Sequence, residues 1–158
     1  MQIREDNLTG SQITDLVREH LEEMRGITPP QSTHALDLEA LRSPEITFWS
    51  AWEGDRLLGC GALKELDAKS GEIKSMRTVR VYRRRGVASR ILERIVEEAQ
   101  RRSYDYLNLE TGSAVEFAPA RSLYLRYGFE YRGPFAEYTD DPNSVYLTKR
   151  LTSPVSIE

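Results

Sequence analysis

Cysteine is almost missing from this chain: Cys60 is the single one among 158 residues. That excludes an internal disulfide and a cysteine-rich metal site, and it implies a reducing compartment. Cys60 lies in the apolar stretch Leu57-Leu58-Gly59-Cys60-Gly61-Ala62-Leu63, which suits a small core residue better than a nucleophile. No stretch approaches the ~20 apolar residues needed to span a bilayer. The opening Met1-Gln2-Ile3-Arg4-Glu5-Asp6 has no apolar run of the signal-peptide kind. A soluble, cytoplasmic protein that does not enter a membrane is expected. A large excess of one charge is absent too. The formal net charge is -3, so the molecule as a whole is not built for nucleic acid or an anionic membrane. Repeats, low-complexity blocks and long linkers are absent. What is present is 39% hydrophobic and 30% charged residues, a globular composition in a length that one domain accounts for. Residues 1–152 read as a single domain and 153–158 as a loose tail.

The apolar spacing marks the elements. Thr9 and Gln12 form a capping-box pattern ahead of Ile13, Leu16, Val17, His20, Leu21 and Met24, which recur at helical spacing. Gly26 and then Pro29-Pro30 are stop signals for this helix. A short second helix is expected over Leu36–Leu41, ended by Pro44. Ile46–Trp52 and Arg56–Leu66 read as a hairpin across Glu53-Gly54-Asp55, with Gly59 and Gly61 as twist or bulge points. A third strand is expected over Glu72–Thr78.

After Gly86 the period changes: Ala88, Ile91, Leu92, Ile95, Val96 and Ala99 lie on one helical face. Tyr104–Glu110 then reads as a strand reached by a right-handed crossover, hence a parallel neighbour. Pro119 opens a helix carrying Ala120, Leu123, Tyr124 and Tyr127, and Gly128 ends it. Phe129–Phe135 and Val145–Leu151 read as a closing antiparallel pair. The expected class is α+β: a mixed sheet with antiparallel N-terminal strands, a central βαβ unit and helices on both faces.

The segment Arg83-Arg84-Arg85-Gly86-Val87-Ala88 sits where a strand runs through a short loop into a helix. The first turn of a helix has N–H groups without internal partners and about half a positive charge from the aligned peptide dipoles. Gly86 lets an anion approach the backbone, Ala88 keeps the next turn clear, and three arginines add charge. The segment can therefore bind a phosphorylated ligand. Two other readings stand beside it: a solvated basic face, and a nucleic-acid contact with Tyr82 as the stacking ring. Neither Gly-x-x-x-x-Gly-Lys-Ser/Thr nor Gly-x-Gly-x-x-Gly occurs, which argues against a P-loop enzyme and a dinucleotide site.

The spacing Arg83-x-x-Gly86-x-Ala88, after a strand and at the head of a helix, resembles the acetyl-CoA signature of the GNAT superfamily of N-acetyltransferases. Ala120-x-x-x-Tyr124-x-x-x-Gly128-Phe129 is similar to that superfamily's second motif. The phrases Ile46-Thr-Phe-Trp-Ser-Ala-Trp-Glu, Gly59-Cys-Gly-Ala-Leu-Lys-Glu-Leu, Gly71-Glu-Ile-Lys-Ser-Met-Arg-Thr and Asp141-Pro-Asn-Ser-Val are similar to its bacterial YsnE-like branch. One departure matters. The second motif often has an asparagine three residues before its alanine, and Phe117 stands there, so the polar tie an asparagine can supply is open to question.

The resemblance implies an enzyme that uses acetyl-CoA as co-substrate and no metal. Pantetheine would lie along Met76 and Thr78, and pyrophosphate on the amides of Arg84, Arg85, Gly86, Val87 and Ala88, with Arg83 beside them. The thioester would reach the gap between the strands at Glu72–Thr78 and Tyr104–Glu110. Tyr124 would meet the coenzyme and protonate the leaving sulfur; a phenol with pKa near 10 is protonated at neutral pH. Glu110, at the carboxyl end of a strand, is the preferred base over Glu72 and Glu65. His34, Glu72, Phe135 and Tyr138 are candidates for the acceptor pocket, whereas Trp49 is more readily a core residue. The expected acceptor is the amine of a small or amino-acid-like molecule, taken by a monomer or a homodimer. A non-catalytic acyl-CoA-binding module is the alternative.

Overall fold

The computed structural model describes residues 1–151; the expected tail at 153–158 lies outside them. Seven strands form one mixed sheet: β1 Gln2–Glu5, β2 Ile46–Glu53, β3 Arg56–Asp67, β4 Ser70–Thr78, β5 Tyr106–Gly112, β6 Glu130–Arg132 and β7 Ser144–Arg150. Their spatial order is β1-β2-β3-β4-β5-β7-β6. Every neighbouring pair is antiparallel except β4 with β5. The helices are α1 Ser11–Ile27, α2 Leu38–Leu41, α3 Val87–Arg101 and α4 Ala118–Arg126. The mixed α+β class, the antiparallel N-terminal meander and the βαβ unit (β4–α3–β5) agree with the sequence reading.

Strand β3 is buried continuously from Leu57 to Leu63 because both faces of the sheet are covered, which removes the usual alternation. On one face, Ile13, Leu16 and Val17 of α1 and Leu41 of α2 pack against Phe48, Leu57, Cys60 and Ala62. On the other, Ile91, Leu92, Ile95 and Ala99 of α3, with Leu123 and Tyr124 of α4, pack against Trp49, Leu58, Leu63, Ile73, Leu107, Leu109 and Leu147. Cys60 is a buried free thiol pushed up to about 12 by that burial, so it behaves as a core residue.

Several local expectations change. The capping box does not form: Gly10 is the N-cap, and Thr9 Oγ1 donates to Asn7 Oδ1. Gln12 instead ties α1 to the β2–β3 hairpin, donating to the Asp55 carbonyl at 3.0 Å and accepting from the Leu57 amide at 3.1 Å. Gly26 does not stop α1, which runs one residue further and closes with Thr28 N–H donating to the Met24 carbonyl. The strand expected over Phe129–Phe135 shrinks to Glu130–Arg132, since Gly133-Pro134 breaks a ladder. Strand β1 escaped the periodicity because it is four residues long with only Ile3 partly buried.

Two features open the sheet at its centre. Strands β4 and β5 pair only from Ser70↔Tyr106 to Ile73↔Leu109. Beyond that point β4 keeps only β3, while β5 keeps β7 as far as Gly112↔Ser144. Between the pairs Cys60↔Arg77 and Ala62↔Lys74, β3 has one residue, Gly61, and β4 has two, Ser75 and Met76. That bulge, with Ser75 at φ +56°, bends β4 just where the strands part. Gly61 is required by packing: a Cβ there would sit 2.6 Å from Met76 Sδ and 2.7 Å from Ile91 Cγ2.

Candidate active site

The parting of β4 and β5 leaves a cleft of about 710 Å³. Its walls come from the C-terminal half of α1 and the segment after it, from Ile73–Thr78 of β4, from the loop into α3, from the end of β5 and from α4. Met76, Thr78, Arg83, Arg84, Gly86, Val87, Ala88, His34, Glu110 and Tyr124 all line this one cleft. Residues 90 positions apart in sequence thus meet on a common surface.

At one end lies the basic loop. A 3-10 turn at Arg80–Tyr82 leads out of β4, Arg84 takes φ +67°, and Gly86 caps α3 in the left-handed region at φ +81°. Among the described residues no side chain caps the helix, and its first turn holds no acidic residue, so its amides can receive an anion. Val87 is buried against the core, which fixes the start of α3. Arg83, Arg84 and Arg85 are all exposed. Arg83 and Arg84 stand on the cleft wall; Arg85 lies over the Tyr82 ring, 5.8 Å from its centroid, and is not among the lining residues. The edge of β4 beyond Ile73 that faces the cleft has no strand partner among the described residues, so its backbone groups can pair with an extended, amide-bearing chain.

At the floor, Tyr124 is 6% exposed and packs edge-on against Phe129 at 5.7 Å. Burial, with the field of Glu110, pushes its phenol well above the ordinary range. A phenol shifted in that direction keeps its proton at neutral pH. Phe117, at the position where the superfamily often has asparagine, also lines the cleft and packs over Gly112, where a Cβ would lie 2.1 Å from the ring. Arg121 fastens that corner by donating to the carbonyls of Gly112 and Ala114.

Glu110 follows the last residue of β5 that pairs with β4. Its Oε2 accepts from Ser144 Oγ at 2.7 Å. Burial raises its pKa above the usual carboxylate range; Ser144, His34 and Lys74 oppose the shift and Glu72 adds to it. A carboxylate with a raised pKa is a stronger base.

Glu72 has a different setting. It is 3% exposed, sits away from the cleft wall, and accepts from Tyr138 Oη at 2.5 Å and Lys74 Nζ at 3.1 Å. Tyr138 is held by Glu72, by Lys74 at 3.0 Å and by the rings of Phe135, Tyr146 and His34. Phe135 is buried beneath the loop after β6. The structure therefore brings His34 to the cleft, while Glu72, Phe135 and Tyr138 form a support behind it. Glu65 accepts from Tyr104 Oη at 2.5 Å, at the opposite end of β4's partner strand from the bulge. Trp49 is fully buried, a core residue as expected.

Two elements of the site were missed in the sequence. Lys74 lines the cleft; its place two residues after Glu72, hence on the same face of β4, was available from the strand period. Arg77, also on the cleft wall, pairs with Glu19 at 2.8 Å and Glu23 at 2.9 Å of α1. Beside it His20 is lowered to about 4, by burial first and then by Arg77, so it is uncharged at neutral pH. Nothing local in the sequence joins α1 to β4. Among the described residues no group of three or more His, Cys, Asp or Glu is placed to hold a metal ion, and no helix is long and apolar enough to cross a membrane.

With this geometry in place, the known proteins that resemble the chain are informative. Residues 12–129 match the acetyltransferase (GNAT) family. The chain is 60% identical over 151 residues to YsnE, an uncharacterised N-acetyltransferase of Bacillus subtilis (strain 168), covering 96% of this chain and all of that one. It is 50% identical over 149 residues to YedL, an uncharacterised N-acetyltransferase of Escherichia coli (strain K12), covering 94% of each. In three dimensions it superposes with a TM-score of 0.65 on a GNAT acetyltransferase from Elizabethkingia anophelis with acetyl-CoA bound, at 16% identity over 95% of this chain and 97% of that one. At that identity the likeness concerns the fold.

Proposed function

The chain belongs to the GNAT family and is an N-acetyltransferase, and from that premise we propose that it moves acetyl from acetyl-CoA directly to the primary amine of a small molecule. The observation that carries this reading is the parting of β4 and β5, which sets a buried, proton-bearing Tyr124 and a raised-pKa Glu110 on the wall of one cleft whose far end is the basic loop at Arg83–Ala88.

The roles follow from the chemistry. An amine arrives mostly protonated at neutral pH, and Glu110 takes that proton. The free amine attacks the thioester carbonyl, forming the C–N bond. As the C–S bond breaks, Tyr124 gives its proton to the departing sulfur and regains one from the nitrogen. The phosphates of the coenzyme rest on the amides at the head of α3, with Arg83 and Arg84 as charged neighbours. The buried, reduced Cys60 supports placement in the cytoplasm.

Tyr124→Phe tests the reading, because it keeps the ring packing and removes only the donor. Its kcat for acetyl transfer to amines is expected to fall by about a hundredfold or more with binding of acetyl-CoA retained. Undiminished turnover removes Tyr124 from the mechanism. Release of no CoA by the unmodified protein across a broad amine panel would favour the non-catalytic acyl-CoA-binding alternative.

A further inference from the structure

Lys74 and Glu110 are the first residues past the end of β4–β5 pairing: Glu72↔Asn108 and Ile73↔Leu109 are the last two pairs. By the two-residue period of a strand, Lys74 shares a face with Glu72 and Glu110 shares one with Asn108. A cation and a carboxylate therefore stand across from each other where the cleft begins, and both line it. No ion pair joins them among the described residues. Lys74 pairs with Glu72, whereas Glu110 has only the Ser144 hydroxyl.

The Lys74 ammonium is held still. Its side chain is 10% exposed, and it donates to Glu72 Oε2 at 3.1 Å and to Tyr138 Oη at 3.0 Å. An ammonium has three donors, so one remains. Tyr138 donates its own hydroxyl hydrogen bond to Glu72 Oε2 and braces His34 edge-on at 5.0 Å. The other cation on this part of the wall, Arg77, is taken up by Glu19 and Glu23.

We propose that the acceptor is a small zwitterion, an amino acid or close analogue with a carboxylate next to its amine, whose amine goes to Glu110 and whose carboxylate goes to the remaining donor of Lys74. The proposal rests on the N-acetyltransferase reading of the cleft. The pairing also orients the nucleophile, because a carboxylate anchored on β4 turns the neighbouring amine toward β5 and the gap between the strands. It makes Lys74 the residue that selects for a carboxylate.

The test measures kcat/KM with acetyl-CoA for free L-amino acids, their amides and the matching decarboxylated amines. A charge-assisted contact predicts that at least one free amino acid is used about tenfold or more better than both its amide and its amine. Lys74→Met is expected to collapse that ratio to near one, and Lys74→Arg to preserve part of it. Because Lys74→Met leaves Glu72 buried with less compensation, Glu72→Gln/Lys74→Met is made alongside, with a melting curve for each; the ratio should collapse in the double variant too. Indifference of the unmodified protein to the carboxylate overturns the proposal and leaves amine acetylation standing. A preference that survives in both Lys74 variants also overturns it. Transfer to none of the compounds overturns this proposal together with the small-molecule amine acceptor on which it rests.

Discussion

Glu110→Gln isolates the proton-accepting step. The amide can still accept from the Ser144 hydroxyl that now reaches Glu110 at 2.7 Å, so the end of β5 is expected to keep its shape. Without the base, transfer depends on the acceptor molecules already unprotonated. For an amine of pKa about 10 that is roughly one in a thousand at pH 7, so a loss in kcat/KM approaching about 10³-fold is expected, within the range of general base catalysis. The unmodified enzyme should gain activity as the Glu110 carboxylate ionises, at a pH above the ordinary carboxylate range because burial raises this group. The Gln variant should lack that limb, and its deficit should narrow about tenfold per pH unit as the acceptor's own pKa is approached. The assay follows CoA release with a thiol reagent from pH 5 to about pH 10. A deficit that does not change with pH, or no deficit at pH 7, refutes the role of Glu110 as base.

Gly61→Ala places a methyl 2.6 Å from Met76 Sδ and 2.7 Å from Ile91 Cγ2; it should cost about 1–3 kcal/mol in urea unfolding and weaken acetyl-CoA binding by displacing Met76. Glu98, buried on α3 and paired with Arg94, Arg101 and Arg102, has a pKa lowered from 4.5 to about 2, chiefly by its hydrogen bond from Arg101. Because the folded-state value is depressed, the stabilisation is present above about pH 4.5 and is lost as pH falls toward 2. Allowing for the exposure of Arg101, it amounts to about 2 kcal/mol. Acid unfolding curves should show Glu98→Gln less stable at neutral pH and flatter through that window, and parallel curves would refute the assignment.

Much of the architecture was legible because it rests on local rules. The apolar face Ile91, Leu92, Ile95 and Ala99 could only be a helix lying on the sheet, and all four are fully buried. Gly86 stands at the expected loop-to-helix junction, and it takes φ +81°, a backbone that other residues adopt at a cost. Pro119 and Gly128 bracketed α4 to within a few residues. Tyr124 was singled out by the resemblance of Ala120-x-x-x-Tyr124-x-x-x-Gly128-Phe129 to the superfamily's second motif, and the structure places it buried on the cleft wall with its pKa raised.

What the sequence could not decide is which distant residues share a wall. Phe135 and Tyr138 looked like pocket aromatics, but the strand ends before Gly133-Pro134 and the loop that follows folds both rings against Tyr146. Glu110 was preferred to Glu72 only because it ends its strand, and the sequence did not show what surrounds either carboxylate. The end of β4–β5 pairing separates them: Glu72, inside the paired region, is ion-paired with Lys74 and hydrogen-bonded by Tyr138, while Glu110, just beyond it, lines the cleft with the Ser144 hydroxyl as its side-chain partner among the described residues. Local chemistry and chain period are carried by neighbouring residues, so the helices and the basic loop at the head of α3 could be read from the chain alone. The parting of two strands, and which distant side chains then share the cleft wall, arise from register and packing between segments far apart, and only the folded molecule decides them.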